Sequence, residues 1–223
     1  MHQKKSKKIL LYFFLLILVG SINNSTIKDF KFEKIKYLEV SGLNKFYTNM
    51  ILKNIDELKL ENIFFLKKKE LAEVIHSNPL VENYNIFKKY PSTLEIKIEE
   101  TNLIAKINNN GKTFYIGTNG KLSEKNFSDK LLPFIFGKPS VEEFLRFKLN
   151  VDQSKFSYEE IKNIYFFPSK RWDIQLRNNL LIKIPKEDIT NSLDEIFFFL
   201  QNNNFNSLKI IDARVKNQII LND

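Results

Sequence analysis

The chain has 223 residues, 43% of them hydrophobic and 27% charged, which is enough apolar material for two small folded units and argues against general disorder. It contains no cysteine, so a disulfide framework and a thiolate metal site are both excluded. The net charge of +9 gives little support to a nucleic-acid partner, because four lysines precede the first apolar run and the other basic residues are interleaved with acidic ones.

The N-terminal segment combines a short basic tail, residues 1–8, with an apolar run that extends from Ile9 to Ile22. The positive-inside rule keeps the lysines in the cytoplasm and places the rest of the chain on the outer side of the membrane. As a helix this run covers about 21 Å, which is shorter than the roughly 30 Å of bilayer hydrocarbon. We therefore predict a short transmembrane signal anchor over residues 9–27, with these apolar anchor residues: Ile9, Leu10, Leu11, Phe13, Phe14, Leu15, Leu16, Ile17, Leu18 and Val19.

The next seventy residues predict a compact α+β unit in which two helices pack on a three-stranded sheet. Residues that alternate between apolar and polar indicate strands, and apolar residues at helical spacing indicate the two helices. The predicted elements are a strand up to Ser41-Gly42, a helix with Thr48 as its N-cap, a helix from Lys68 that ends near Pro79, and two strands, 81–88 and 94–98, joined at Tyr90-Pro91.

After residue 102 the pattern is mostly that of strands. Asn110-Gly111 and Asn119-Gly120 are strong hairpin signals, because both central positions of a type I′ turn need positive φ. Alternation from Trp172 to Leu176, followed by Asn178-Asn179, predicts a further hairpin.

The C-terminal part predicts one helix and one terminal strand. Ser192 and Glu195 form a candidate capping box for the helix. In the final stretch the side chains of Ile211, Ala213 and Val215 point to one face and those of Asp212, Arg214 and Lys216 to the other, so we expect a strand with one buried face.

Catalytic chemistry is not indicated by the sequence. The two histidines, His2 and His76, stand alone, and adjacent carboxylates such as Glu99 and Glu100 point to opposite faces of a strand. No nucleophile, phosphate-binding or metal motif is present. We therefore predict a protein that binds other proteins, with no cofactor, metal or small-molecule substrate.

The order of these motifs resembles that of the FtsQ/DivIB family of bacterial cell-division proteins. Leu103 stands where the family usually has proline, and Asn179 stands where it has glycine. The resemblance implies a POTRA domain at residues 28–101 and a β domain at residues 102–223. The matching residues are Pro79, Val81, Lys89, Tyr90, Pro91, Thr93, Leu94, Ile96, Ile98, Glu100, Ala105, Asp212 and Arg214.

The resemblance also implies a function, that of a single-span scaffold of the inner membrane at the division septum. Its expected partners are FtsB and FtsL, with other division proteins bound through the POTRA domain. FtsB is expected to add a strand at the terminal strand, and the expected contacts there are Arg214, Val215 and Lys216. Lys170 and Arg171, beside Trp172, are a second candidate basic patch.

A secreted form is the alternative. Cleavage of the N-terminal segment would release a POTRA-like chaperone or assembly factor. Gly20 and Ser21 are the only small residues at a candidate cleavage site, and the A-x-A pattern is missing, so the anchored form is favoured.

Overall fold

The computed structural model describes residues 3–22, 33–125, 130–202, 208–215 and 218–222. Helix α1 spans Gln3–Ile22, and the predicted anchor residues on it are exposed. A search of the described residues finds no helix that is both long and apolar enough to cross a membrane. The predicted anchor over residues 9–27 is therefore not confirmed, and its last five residues, 23–27, lie outside the described residues.

The first unit is a three-stranded sheet with two helices, as predicted. Its strands lie in the order β1-β3-β2, with β1 parallel and β2 antiparallel to the central strand β3. Its core joins Ile51 and Ile55 of one helix, Leu71 and Ile75 of the other, and apolar residues of the sheet. The elements are β1 (Tyr37–Ser41), α2 (Lys45–Glu57), α3 (Lys68–Ser77), β2 (Val81–Lys89) and β3 (Thr93–Glu100).

Helix α2 begins earlier than predicted. Its N-cap is Asn44, whose Oδ1 accepts a hydrogen bond from the Tyr47 amide at 3.2 Å. The hydroxyl of Thr48, the predicted N-cap, instead donates to the Leu43 carbonyl at 3.1 Å. The prediction was wrong because Asn and Thr are both good N-cap residues, and Asn44 precedes Thr48 by four residues.

The second unit is built on a nine-stranded mixed sheet. Its strand order is β12-β11-β10-β9-β8-β7-β4-β5-β6, so β7 is inserted between β4 and β8 and is parallel to both. The strands are β4 (Leu103–Asn109), β5 (Lys112–Gly117), β6 (Leu122–Ser123), β7 (Phe134–Phe136), β8 (Ile161–Phe166), β9 (Trp172–Leu176), β10 (Leu181–Lys183), β11 (Ile210–Asp212) and β12 (Ile220–Asn222).

The three predicted hairpins are all present in this sheet. Asn110-Gly111 joins β4 to β5 with φ values of 52° and 81°. Asn119-Gly120 lies between β5 and β6, but only Gly120 has positive φ, 74°, so the predicted type I′ turn is wrong here. Asn178-Asn179 lies between β9 and β10, with φ of 71° at Asn179. Asparagine tolerates this left-handed conformation better than most residues, so Asn179 fits a turn position where the resemblance implies glycine.

Helices α4 (Val141–Gln153) and α5 (Ile189–Asn202) pack on one face of the nine-stranded sheet. The capping box lies at the start of α4, where Ser140 and Glu143 exchange hydrogen bonds, and not at Ser192 as predicted. Helix α5 already begins at Ile189, and the Ser192 amide donates to the Asp188 carbonyl as in an interior turn.

The two units meet at the turn between β5 and β6. The Asn119 side-chain amide donates to the carbonyls of Pro79 at 3.0 Å and Val81 at 2.9 Å. Thr101 and Thr118 both donate to the Glu82 carboxylate, at 2.6 and 2.9 Å. The end of the first unit that carries the start of β2 and the end of β3 therefore faces the second unit.

Candidate partner-binding site

The two edges of the nine-stranded sheet have different surroundings. At the β6 edge the Tyr47 hydroxyl of the first unit lies 3.1 Å from the Ser123 hydroxyl, and Lys125 Nζ lies 3.7 Å from the centre of the Phe46 ring. The opposite edge is β12, which pairs with β11 and has no second neighbouring strand in the described part of the chain. Strand addition is therefore open at β12.

Strand β12 presents apolar side chains and backbone groups at this edge. Ile220 and Leu221 are both exposed. The Asn222 carbonyl accepts a hydrogen bond from the Lys209 amide at 3.1 Å, so the Asn222 backbone is directed towards β11. Because successive residues of a strand direct their backbone groups to opposite sides, Leu221 directs its N–H and C=O away from β11.

The predicted terminal strand is divided in the structure. β11 ends at Asp212, and Arg214 and Val215 lie after it, where the Val215 carbonyl accepts from the Gln218 amide at 3.1 Å. Ile211 and Ala213 are buried as predicted, but Val215 is exposed. Placing Arg214 and Val215 on the edge strand was therefore wrong, because β12 follows them and covers β11. Lys216 lies outside the described residues.

Arg214 is held by a row of charged residues across the sheet. Register pairs Asp173 of β9 with Lys183 of β10, and Lys183 with Asp212 of β11. Asp212 accepts from Arg214 Nε at 2.8 Å and also from its Nη2, and Lys183 Nζ lies 3.9 Å from Asp212. The hydrogen bond from Arg214 lowers the pKa of Asp212, and the same bond raises the pKa of Arg214.

Arg214 retains hydrogen-bonding capacity in this arrangement. A guanidinium has five N–H donors, and the contacts with Asp212 use one on Nε and one on Nη2. The remaining donors belong to a side chain that is partly exposed at the end of β11. They are suited to a carboxylate on an incoming chain.

The second predicted patch is held by internal contacts. Lys170 Nζ contacts the Glu143 carboxylate at 2.7 Å, and Arg171 Nε donates to Asp173 at 3.1 Å while its guanidinium lies 4.3 Å from the Phe167 ring. Burial raises the pKa of Asp173, and Arg171 opposes this shift. Arg171 and Arg214 are thus brought to the same charged row, whereas Lys170 is directed towards α4.

A cavity of about 330 Å³ adjoins the end of β11. Its lining includes Glu187, Asp188 and Glu195, near the start of α5, and Arg214 and Val215. Lys186 also lines the cavity, so the helix side carries three carboxylates and one lysine, and the strand side carries the Arg214 cation. This distribution suits a peptide segment that carries both charges. No group of three or more metal-binding side chains occurs among the described residues.

Comparison with known proteins identifies the first unit. Residues 33–101 match the family model described as POTRA domain, FtsQ-type. Residues 33–101 are therefore similar to an FtsQ-type POTRA domain, and we call this unit the POTRA domain. The resemblance to FtsQ/DivIB proteins that the sequence motifs predicted is thereby confirmed.

Three curated relatives extend the comparison beyond the POTRA domain. Cell division protein DivIB of Clostridium acetobutylicum is 33% identical over 96 residues, which are 42% of this chain and 39% of that protein. DivIB of Clostridium botulinum strain Loch Maree is 32% identical over 134 residues, 60% of this chain and 51% of that protein. Cell division protein FtsQ of Rickettsia conorii is 24% identical over 199 residues, 83% of this chain and 70% of that protein.

The share of the relative's length that is matched differs from one relative to the next. The chain spans about half or less of the length of the two DivIB relatives. A solved structure, the major extracytoplasmic domain of DivIB from Geobacillus stearothermophilus, is 13% identical with a TM-score of 0.34, and the match covers 48% of this chain and 99% of that one. A likeness this low supports no conclusion about the fold.

Sequence reasoning missed the edge strand β12 of the β domain. The apolar run Ile219 to Leu221 is the signal that could have found it, because Lys216 and Asn217 interrupt the pattern before it. Reading the whole stretch as one strand hid this interruption. The division of the chain at residues 28–101 and 102–223 remains a prediction.

Proposed function

We propose that this chain acts in bacterial cell division as a non-catalytic scaffold. The proposal is supported by the FtsQ-type POTRA match and by relatives named cell division protein DivIB or FtsQ. In this role residues 9–27 anchor the chain in the inner membrane, with residues 1–8 in the cytoplasm. The POTRA domain and the β domain lie on the outer side of the membrane, at the septum.

The β domain binds its partner by strand addition at β12. The observation that supports this most directly is the position of β12 at the end of the sheet, with the Leu221 backbone directed outward. An edge strand accepts an incoming strand unless charge, proline or a covering element blocks it, and Ile220 and Leu221 are apolar. The partners are FtsB and FtsL-like proteins, and other division proteins bind the POTRA domain.

The residues predicted for partner contact flank this edge. Arg214 offers its remaining guanidinium N–H groups to a partner carboxylate, and exposed Val215 adds apolar contact beside the cavity. Lys216 follows them in the chain and is proposed as a further cationic contact. Lys170 and Arg171 would take part only by exchanging their present carboxylate partners.

Substitution of Leu221 tests strand addition. Leu221→Pro removes the outward N–H and leaves the β11 side of β12 unchanged, whereas Leu221→Ala shortens the side chain and keeps the N–H. Loss of one backbone hydrogen bond is worth about 1 kcal/mol, so Leu221→Pro should weaken FtsB binding by roughly fivefold to tenfold relative to Leu221→Ala. The measurement is affinity by titration with purified full chains.

The matched pair separates the backbone from the side chain. Circular dichroism and thermal unfolding of both variants should match those of the parent chain, since Leu221 lies at the exposed end of the sheet. Equal FtsB affinity for two folded variants would overturn strand addition at β12.

A further inference from the structure

Two exposed aromatic rings of the POTRA domain, Phe64 and Tyr90, are in contact, and a third exposed ring, Phe65, is next to Phe64 in the chain. Phe64 and Phe65 are 50% and 71% exposed, and the Phe64 ring lies 5.0 Å from that of Tyr90, which is 59% exposed. We call these three residues the aromatic tip. Single exposed apolar residues are ordinary on a protein surface, but a contiguous group of large ones marks an interaction site.

The loop that carries the tip is held in place by its own hydrogen bonds. Asn62 Oδ1 accepts from the amides of Phe64 at 3.1 Å and Phe65 at 3.0 Å. Ile63, between Asn62 and the two phenylalanines, is fully buried. The chain therefore fixes the loop backbone while it exposes the two rings, an arrangement that lowers the entropic cost of binding.

The tip lies at the end of the POTRA domain where the chain arrives from α1. Lys34 forms a β-bridge with Asn62, and the Ile35 amide donates to Glu61 at 3.0 Å. The Lys36 amide donates to Ser92, next to the Tyr90 turn, at 2.9 Å. The opposite end of the domain, with Glu82 and Thr101, contacts the β domain.

The length of the connecting segment limits how far the tip lies from α1. Residues 23–32 separate Ile22 at the end of α1 from Glu33. Ten residues span at most about 35 Å when fully extended, and less in any other conformation. An inserted α1 would therefore hold this end of the POTRA domain close to the bilayer and direct the β domain away from it.

Three lysines adjoin the loop of the aromatic tip: Lys34 through its β-bridge with Asn62, and Lys68 and Lys69 three and four residues after Phe65. Lys34, Lys68 and Lys69 are exposed, and none of them forms an ion pair among the described residues. Three other lysines at this end are paired with carboxylates: Lys67 Nζ lies 3.1 Å from Glu70, Lys36 Nζ lies 3.0 Å from Glu33, and Lys89 Nζ lies 3.2 Å from Glu95. Aromatic rings favour the headgroup region of a bilayer, and lysines close to the surface are attracted to anionic lipids.

We propose that the aromatic tip rests in the headgroup layer of an anionic lipid bilayer and fixes the orientation of the POTRA domain on the membrane. This inference rests on the proposed anchoring of residues 9–27. The aromatic tip is assigned to a lipid surface because the aromatic rings, the neighbouring lysines and the short connection to α1 all occur at the same end of the domain.

Spin labelling of the full chain tests the contact directly, because the chain has no native cysteine. A nitroxide is attached to Phe65→Cys and, as the control, to Leu131→Cys in the β domain, where Leu131 is 77% exposed. The chain is reconstituted in vesicles of phosphatidylcholine with phosphatidylglycerol. Collision with oxygen, relative to a water-soluble nickel chelate, should be severalfold higher for the label at position 65 than for that at 131.

Two further measurements test the contribution of the lysine charges and the anchoring of the chain separately. Lys68→Gln with Lys69→Gln, or vesicles without phosphatidylglycerol, should reduce the oxygen preference of the label at position 65. An alkaline wash of the same vesicles reports whether the chain is anchored.

Each outcome decides between the proposals. If the chain is retained after the wash and both labels are equally accessible to the nickel chelate, the lipid contact of the tip is overturned and the anchor stands. If the wash releases the chain, anchoring and lipid contact both fail. Shielding of the label at position 65 only after a division protein is added would assign the tip to a protein partner and overturn the lipid contact.

Discussion

Gly42 of the POTRA domain has no space for a side chain. Its φ is +100°, and a Cβ atom built on it would lie 1.7 Å from the Ile98 carbonyl oxygen. The residue directly follows β1, where the chain lies beside Ile98 of the paired strand β3. Any side chain here must displace backbone and not only a flexible neighbour.

We expect Gly42→Ala to destabilise the POTRA domain by roughly 3 kcal/mol or more, since left-handed strain and a backbone clash act together. Gly111→Ala is the matched control: its φ is +81°, but nothing lies within 4 Å of the added Cβ. The control should cost only about 1–2 kcal/mol, the left-handed penalty alone. Urea unfolding of the full chain measures both, and equal losses would contradict the close approach to Ile98.

At the scale of single elements, the start of α4 depends on the Glu143 carboxylate. Glu143 accepts from Lys170 Nζ at 2.7 Å and from the Ser140 amide at 2.9 Å. These two hydrogen bonds lower the pKa of Glu143 below its ordinary value of 4.5. The bond from Lys170 has the larger effect and the bond from Ser140 the smaller. The carboxylate form of Glu143 is thus favoured in the folded chain.

The pH dependence of stability follows from the direction of this shift. A carboxyl group whose pKa is lowered by folding stabilises the fold above its unfolded pKa, and this contribution is lost as the pH falls through the folded pKa. The free energy of unfolding of the parent chain should therefore exceed that of Glu143→Gln at neutral pH, and the difference should narrow below about pH 5.

Denaturant unfolding at a series of pH values measures this difference. Lys170→Met should make the stability difference between chains with and without Glu143→Gln less dependent on pH, because it removes the stronger of the two hydrogen bonds that lower the pKa of Glu143. Parallel stability curves for the parent chain and Glu143→Gln would show that the carboxylate charge makes no contribution.

The sequence predicted elements best where the local pattern was strong. Helix α3 occupies Lys68 to Ser77 as predicted, and the hairpin turns follow from asparagine and glycine at positions that need positive φ. Local reasoning failed where two candidate caps competed, as at Asn44 and Thr48. It also failed at the end of β11. Arg214 bonds back to Asp212 there, and β12 then folds back and pairs with β11, a pairing that the alternating pattern does not reveal.

At the scale of the whole molecule, the order of elements along the chain was enough to predict the POTRA domain but not the position of β12 at the sheet edge. The sheet of the POTRA domain joins segments that lie within about seventy residues, so its motifs could be recognised from the sequence. In the β domain β7 inserts in parallel between β4 and β8, and β10 pairs in parallel with β11 across α5. No local signal specifies these pairings, so the edge position of β12 could not be predicted.

The two proposed interaction surfaces lie in different parts of the molecule. The aromatic tip is at the end of the POTRA domain next to α1, and the β12 edge belongs to the β domain, which contacts the other end. In the proposed arrangement the aromatic tip would bind lipid and the β12 edge would bind a division protein. Binding at β12 is the central claim, since the role in division depends on it.

Hydrogen exchange at the Leu221 amide tests that claim most directly. The amide is directed away from β11, so it should exchange rapidly in the free chain and slow by roughly tenfold or more when FtsB saturates the β domain, because a paired strand would accept its hydrogen bond. Unchanged exchange at Leu221 in a saturated complex would contradict strand addition at β12.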